Sequence, residues 1–493
     1  MTAQSKLETA PASFAVAQAR AARRLVALGD VTSELGELFE AAGFEIALVG
    51  GWVRDAALDR GDDDLDLATS ARPEKTLELV REWADTTWTV GQAFGTIALR
   101  KGRHTIEITT YRTEQYEESS RKPEVAYGDT LEGDLRRRDF TVNAMAVRLP
   151  RPEFVDPYDG LSDLTSGVLR TPGTPQQSFS DDPLRMMRAA RFAAQLGFTV
   201  APEVVAAMSE MAERITIVSP ERVREELSRL LLSPNPRLGL ELMVRTGLAE
   251  QVLPELPALQ LEIDEHHRHK DVYQHSLTVL EQAIALESRI DDGGPDLVIR
   301  LAALLHDVGK PRTRRFEPGG GVSFHHHEVV GARLARKRLT ALRYPKHVVE
   351  DVARLTELHL RFHGYAAGEW TDSAVRRYVR DAGDLLSRLH VLTRADSTTR
   401  NRRKAAALQR TYDDLEARIA ALAEQEELES IRPDLDGNAI MTILGLRPGP
   451  LVGQAYRYML ELRMERGPMD EQQARAALLD WWSDQQAGSD QQV

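Results

Sequence analysis

Asp64 and Asp66 close the stretch EIALVGGWVRDAALDRGDDDLDLAT, residues 45 to 69. Side chains two apart on a strand point to one face, so a strand here aims both carboxylates at one place. Such charges repel unless a cation lies between them, and an all-oxygen ligand set suits Mg²⁺. Upstream, Gly50-Gly51 offers backbone N–H groups that can cradle phosphate, with Arg54-Asp55 just beyond. A lone D-x-D is more often a pair of solvated loop acids; the diglycine turn and apolar strand before it make this one read as a metal-and-triphosphate site. On the run Thr105 to Thr109, Glu107 faces the same way as the two threonines, opposite Ile106 and Ile108. It is a third metal-site carboxylate if that strand lies beside the one bearing Asp64 and Asp66, and otherwise an exposed strand acid.

A second group of residues suits a sugar and a base. In RRRDFTVNAMA, residues 136 to 146, Asp139 and Asn143 stand four apart, on one face of a helix, behind Arg136, Arg137 and Arg138. Asp accepts from ribose hydroxyls, Asn both donates and accepts, and Arg forks onto phosphate; the alternative is a solvated helix end. DDPLRMMRAARF, residues 181 to 192, predicts a helix with Ser180 as its N-cap. Asp182 and Arg185 are then surface neighbours, which by spacing alone favours a weak salt bridge. The functional alternative is an acceptor beside a fork of donors. Cytosine and adenine present an amino donor beside a ring-nitrogen acceptor, and uracil and guanine reverse that order. A fixed Asp182–Arg185 pair would accept C and A and reject U and G without a template. Arg188 and Arg191 follow on the same helix.

A third group is rich in histidine. Leu297 to Val308 predicts an apolar helix carrying His306-Asp307 near its end, stopped by Gly309-Lys310-Pro311. His275 sits in an amphipathic stretch, Val272 to Leu286. His325-His326-His327-Glu328 opens a helix after a Gly-rich loop, Pro318 to Gly321, and His359 and Asp396 lie on later helices. A single His on an apolar helix is usually a satisfied core residue, but a His-Asp pair there leaves two groups in need of partners.

The elements that must hold these residues divide the chain. The first part reads as mixed: a strand over Glu45 to Val49, a helix over Trp52 to Leu58, a helix over Glu74 to Trp83 begun by Arg72-Pro73, and a hairpin joining Thr96–Arg100 to Thr105–Thr109 through Lys101-Gly102. Arg112 to Asp134 is polar and aperiodic, the signature of a functional or mobile loop. Beyond about residue 200 the pattern is helical throughout. At 493 residues there is room for roughly three domains, and the 42% hydrophobic and 28% charged fractions are those of a soluble protein. There is no cysteine, so a disulfide-linked partner is excluded, and no apolar run of about 18 residues or signal-peptide core, so no membrane partner and a cytoplasmic location are expected. The net charge of −13 gives no global pull toward nucleic acid, which must be held by local basic patches.

Taken together, GGWVRD with DLD, RRDFTVNAMA, DPYDGLSDLTSGVLR (156 to 170), DDPLRMMRAARF and ERVREELSRLL (221 to 232) resemble the bacterial class II tRNA nucleotidyltransferase and poly(A) polymerase family, which includes CCA-adding enzymes. The resemblance covers residues 42 to 255. It implies an α+β chain: a nucleotidyltransferase-type mixed-sheet head, then an all-α neck and body. It implies two-metal nucleotidyl transfer at Asp64 and Asp66, with tRNA, CTP and ATP as partners. Arg138, Asp139 and Asn143 would bind the nucleotide, Asp182 and Arg185 would read its base, and Arg112 to Asp134 would be the mobile loop. One departure is Asp181, where the family commonly has Glu. CCA, poly(A), CC-only and A-only addition are not separated by these motifs. The order H…HD…H…H…D resembles the HD superfamily of metal-dependent phosphohydrolases. It implies a divalent transition metal on His275, His306, Asp307 and Asp396, with His327 and His359 toward a second and His326 as an alternative to His327; a retained but inactive fold is the other possibility. The expected divisions are a loosely ordered lead-in over 1–28, the head over 29–172, a helical neck over 173–258, an HD domain over 259–410 and a helical tail over 411–493. Arg400 to Arg410 (RNRRKAAALQR) is either a solvated helix face or a contact to tRNA phosphates.

Overall fold

The structure is a computed structural model that describes residues 14–61, 64–115, 124–128, 130–260, 271–318, 321–362, 365, 370–397, 402–426 and 432–489. It forms two compact units, residues 1–257 with 341–343, and residues 258–340 with 344–493.

The first unit is built on a seven-stranded mixed sheet of β1 (Ile46–Val49), β2 (Asp64–Thr69), β3 (Thr86–Trp88), β4 (Thr96–Lys101), β5 (His104–Thr110), β8 (Ala146–Leu149) and β9 (Glu153–Val155), in the order β3-β4-β5-β2-β1-β8-β9. A further pair, β6 (Arg112–Gln115) and β7 (Glu124–Tyr127), forms a separate antiparallel hairpin. Only β2 and β5 pair in parallel within the large sheet, setting Asp66 opposite Glu107 and Asp64 opposite Thr105. Period-two alternation decides which face each side chain takes: Leu65, Leu67, Ile106 and Ile108 are buried, while Asp64, Asp66 and Glu107 point to the open face. The helices that carry the other candidates are α1 (Gly51–Ala57), α2 (Leu131–Arg136), α3 (Pro175–Asp181), α4 (Leu184–Leu196) and α5 (Pro220–Leu231).

Several sequence expectations change here. The polar stretch from Arg112 is not aperiodic: β6 and β7 pair, and α2 follows, capped by Thr130, whose hydroxyl accepts from Gly133 N–H. The remainder of that stretch, 116–123 and 129, lies outside the described residues. Asp139 and Asn143 do not share a helical face, because α2 ends at Arg136 and Thr141–Asn143 is a single 3₁₀ turn. Ser180 is not an N-cap; it lies inside α3, and an extended Asp182 breaks the chain before Pro183, the N-cap of α4. The proline explains the break, since the residue before it is driven out of helical geometry.

The second unit is helical, with α6 (Val272–Leu286), α7 (Leu297–Leu305), α8 (His327–Ala341), α9 (Lys346–Leu358) and α10 (Leu386–Asp396), and Leu277, Leu280, Leu304, Val352, Leu355 and Leu389 are buried in it. A long helix, Arg402–Glu426, runs straight through the division expected at 410, so that boundary falls inside an element. Residues 398–401, at the head of the expected basic patch, lie outside the described residues. Three further helices, Gly437–Leu444, Pro450–Arg466 and Glu471–Ser489, close over a core of their own that includes Ile440, Met459, Leu462 and Leu478. No described helix is long and apolar enough to cross a membrane.

Candidate functional site

In the first unit the acids and the diglycine turn lie together. Burial raises the Asp66 pKa first, and Glu107 and Asp64 raise it further, with Arg138 and Arg54 pulling the other way. A carboxylate set that repels itself in this way, with oxygen as its donor atom, fits a divalent cation. Gly50 takes φ 68°, ψ −127°, which side chains avoid, and a Cβ there would strike the Arg138 guanidinium. The turn thus lets Arg138 lie over the backbone beside the acids. One expectation is corrected: Gly50 N–H is not available for phosphate, because it donates to the Met145 carbonyl at 3.2 Å. Gly51 lies against the acids, since a Cβ there would be in ordinary contact with Asp66 Oδ2 at 3.8 Å and Arg54 Nη2 at 3.7 Å.

A buried polar chain leads from this turn to α4. Arg54 is locked to Asp55 by two hydrogen bonds (2.9 and 2.6 Å) and donates to Asn143 Oδ1 at 2.6 Å. Asn143 donates to Asp139 Oδ1 at 2.9 Å, and Asp139 Oδ2 lies 2.7 Å from Arg188 Nη2. Burial works to raise the Asp139 pKa, but Arg188, Asn143, Arg185 and the Phe140 N–H outweigh it and hold the group ionised below the usual carboxylate range. Asp139 Oδ2 is buried and its charge is met by the Arg188 guanidinium, so the carboxylate is held from both sides. Asp134 anchors the neighbouring cations, taking Arg137 on Oδ1 (2.6 Å) and Arg138 on Oδ2 (3.1 Å).

The helix α4 candidates do not all behave as expected. Arg185 is buried and donates to Ser178 Oγ (3.0 Å) and to the Arg137 carbonyl. Asp182 is held separately: Oδ1 accepts from Leu184 N–H at 3.1 Å and Oδ2 from Arg222 at 2.9 Å. The two expected base readers are therefore fixed by different elements instead of by a one-turn salt bridge. Arg191 is a correction. Its guanidinium is committed to Glu226 (2.6 Å) and Gln195 (3.0 Å), both ends of the Glu226 pair being buried, so it clamps α4 to α5. Arg222 was not legible as a partner of Asp182, since 40 residues separate them.

The second unit brings all six expected HD residues together. His275 Nε2 lies 2.9 Å from Asp396 Oδ1 and 3.7 Å from Asp307 Oδ2, and His306 Nε2 lies 3.2 Å from that same Asp307 oxygen and 3.5 Å from Asp396. On the other side of Asp307, Oδ1 faces His327 Nε2 at 3.2 Å and His359 Nε2 at 3.9 Å. Two ligand groups, His275–His306–Asp307 and Asp307–His327–His359, thus share one carboxylate. The imidazoles are pre-set for coordination. The Nδ1 atoms of His306, His327 and His359 lie 2.9, 2.9 and 2.7 Å from the carbonyls of Ala303, Phe324 and Thr356. A carbonyl only accepts, so each Nδ1 carries the hydrogen, and the buried Nε2 of each ring is left without a hydrogen-bond partner among the described residues. Burial works to lower the His306 pKa, but Asp307 and Asp396 raise it to about 10; burial, then His306, lowers that of His359 to about 3.

Local geometry explains the convergence. His306 and Asp307 follow the last turn of α7 and are not inside it. A Cβ on Gly309 would collide with the His327 carbonyl, so glycine alone lets this turn press against the start of α8. His327 begins α8, while His326 has φ 60° and an 85% exposed side chain, which decides between them in favour of His327. Lys310 was missed: the sequence marked it only as a helix stop, yet its Nζ donates to Asp307 Oδ2 at 2.6 Å.

Comparison with known proteins adds three matches to family models: a poly A polymerase head domain over residues 46–170, a probable RNA- and SrmB-binding site of polymerase A over 197–259, and an HD domain over 272–425. The A-adding tRNA nucleotidyltransferase of Deinococcus radiodurans is 37% identical over 365 residues, 73% of this chain and 81% of that protein. The CC-adding tRNA nucleotidyltransferase of Thermus thermophilus is 34% identical over 442 residues, 88% of this chain and 93% of that protein. The CCA-adding enzyme of Streptococcus gordonii is 39% identical over 230 residues, 46% of this chain and 56% of that protein. Among solved structures, the Bacillus stearothermophilus CCA-adding enzyme in complex with CTP shares the fold with a TM-score of 0.66 at 24% identity, over 92% of this chain and 98% of that one.

Proposed function

Because the chain belongs to the tRNA nucleotidyltransferase family, we propose that it adds C, C and A in turn to the 3′ end of tRNA from CTP and ATP, without a template and with release of pyrophosphate. The observation that carries this reading is the parallel β2–β5 register, which sets Asp66 beside Glu107 on the face shared with Asp64, next to Arg138 over Gly50. Asp64, Asp66 and Glu107 would hold paired Mg²⁺, which neutralise charge on the triphosphate and acidify the attacking hydroxyl. Arg138 would pair with the triphosphate, lying over Gly50, where a Cβ would strike it. Asp139, with Asn143 and Arg188 holding its carboxylate in place, would accept from the ribose. Asp182 accepts the amino group of C or A, and Arg185 donates to the neighbouring ring nitrogen. The tRNA 3′-hydroxyl attacks the α-phosphorus of the nucleotide so held. The test is CTP incorporation into a tRNA transcript lacking CCA, which the protein performs and its Asp64→Ala variant does not.

A second reading has its own support. The two relatives that match over most of their length are named for A-adding and CC-adding, so a partial adder that supplies only one of the two nucleotides competes directly. For the helical unit we propose a metal-dependent phosphohydrolase, with a cytoplasmic setting for both activities. The imidazole-rich donor set fits a divalent transition metal better than Mg²⁺. His275, His306, Asp307 and Asp396 would bind one ion and His327 and His359, through Asp307, a second. Ions held there would supply an activated water for a phosphoester, and Lys310 donates to the shared carboxylate at 2.6 Å. Hydrolysis of bis(p-nitrophenyl) phosphate, lost in Asp307→Asn, tests it.

A further inference from the structure

We propose that Arg222 is the positioning residue for base selection: it fixes the direction of the Asp182 carboxylate, and through it the preference for C and A over U and G. This rests on the reading of Asp182 as the base acceptor. Asp182 lies in an extended linker between two helices, at φ −142° and ψ 101°, where no helical packing sets its rotamer. What holds the side chain is the Leu184 N–H on Oδ1 and the Arg222 guanidinium on Oδ2. The preceding acid does not assist, for Asp181 is taken by Gln177 at 2.6 Å.

Arg222 is itself well placed for this. It is the third residue of α5, and its backbone N–H donates to the N-cap Ser219. Four residues on, Glu226 makes the buried 2.6 Å pair with Arg191 of α4, so Arg222 and Glu226 are rungs on one face of α5. The inner rung ties the helices together. The outer one is half exposed, with the Arg222 side chain 54% accessible, and an exposed ion pair adds little stability. Its contribution is therefore directional. With one oxygen held by a cation and the other by a backbone donor, the carboxylate presents a fixed remaining lone pair to an incoming amino group. Without Arg222 only the Leu184 N–H holds the linker carboxylate, and the selection blurs.

The experiment measures kcat/KM for CTP, ATP, UTP and GTP on a tRNA primer, for the full-length protein and for Arg222→Met, Arg222→Lys, Asp182→Ala and the double variant Asp182→Ala with Arg222→Met. Arg222→Met should lower the CTP-to-UTP and ATP-to-GTP ratios about tenfold, through KM more than kcat, the scale of one charged hydrogen bond. Arg222→Lys should restore most of the ratio, and Arg222→Met should add nothing in the Asp182→Ala background. An unchanged ratio in Arg222→Met, or an equal further loss in the double variant, overturns the proposal. A wild-type ratio in Asp182→Ala overturns it too, and then it is base reading by Asp182 that has failed, while CTP addition by the wild-type protein still stands for the transfer reaction.

Discussion

In the mixed-sheet unit the acids stand on two parallel strands, Asp64 and Asp66 on one and Glu107 on the other, with oxygen as their only donor atom. In the helical unit four imidazoles and two carboxylates meet at helix ends, three of the rings already turned by backbone carbonyls so that Nε2 faces inward. The first arrangement is incomplete. Mg²⁺ keeps much of its water and is held by few carboxylates together with substrate phosphates, so that site closes when the triphosphate arrives. The second is finished beforehand, and its orphaned nitrogens are a cost that a resident ion relieves. On the proposed reading, one site would take up its metal with its substrate and the other would keep it.

The largest expected effect separates the two outright. Asp64→Ala should cut nucleotide addition about 10³-fold or more while leaving phosphodiester hydrolysis by the helical unit intact, and Asp307→Asn should do the reverse. Loss of both activities in either variant would break the division. Next comes metal content. After gel filtration into metal-free buffer, the protein and Asp64→Ala should both retain a transition metal by elemental analysis, Asp307→Asn should have lost it, and none should retain Mg²⁺.

Two smaller effects sharpen the contrast within the head. Arg191→Met should destabilise the first unit by about 3 kcal/mol in urea unfolding, because it leaves Glu226 buried without its cation. If Arg191 served a nucleotide instead, stability would hold and KM would rise. The smallest concerns pH. Burial works to raise the Asp134 pKa, but Arg138 and Arg137 outweigh it and the group sits below its ordinary value. An acid with a depressed folded pKa contributes stability above its unfolded value, about 3.9, and loses it as pH falls toward the folded one. Asp134→Asn should therefore flatten the acid limb of the stability curve below about pH 4, and an unchanged limb would show that the Arg pair does not hold this carboxylate.

What the residues disclosed in advance follows from what is local. The acids on β2 and β5 were legible because a two-residue period fixes their face, but only the strand pairing could decide whether Glu107 joins them. Asp139 and Asn143 were found on a mistaken helical argument; a turn and a 3₁₀ segment bring them to 2.9 Å all the same. Where helix faces meet, the sequence is silent. It therefore offered Arg191 as a ligand although Glu226 takes it, and left out Arg222. His327 could not be separated from His326 until the backbone turn was seen. Lys310 was hidden by a second meaning, since Gly-Lys-Pro also ends a helix.

The most direct measurement is the 3′ sequence of a tRNA transcript lacking CCA after incubation with purified protein and Mg²⁺, given CTP alone, ATP alone, or both. The account predicts two C with CTP alone, no A with ATP alone, and C, C, A and a stop with both. Addition of C only or A only under every condition would make this a partial adder, open-ended A tracts a poly(A) polymerase, and an unextended transcript would contradict the assignment of transfer to Asp64 and Asp66.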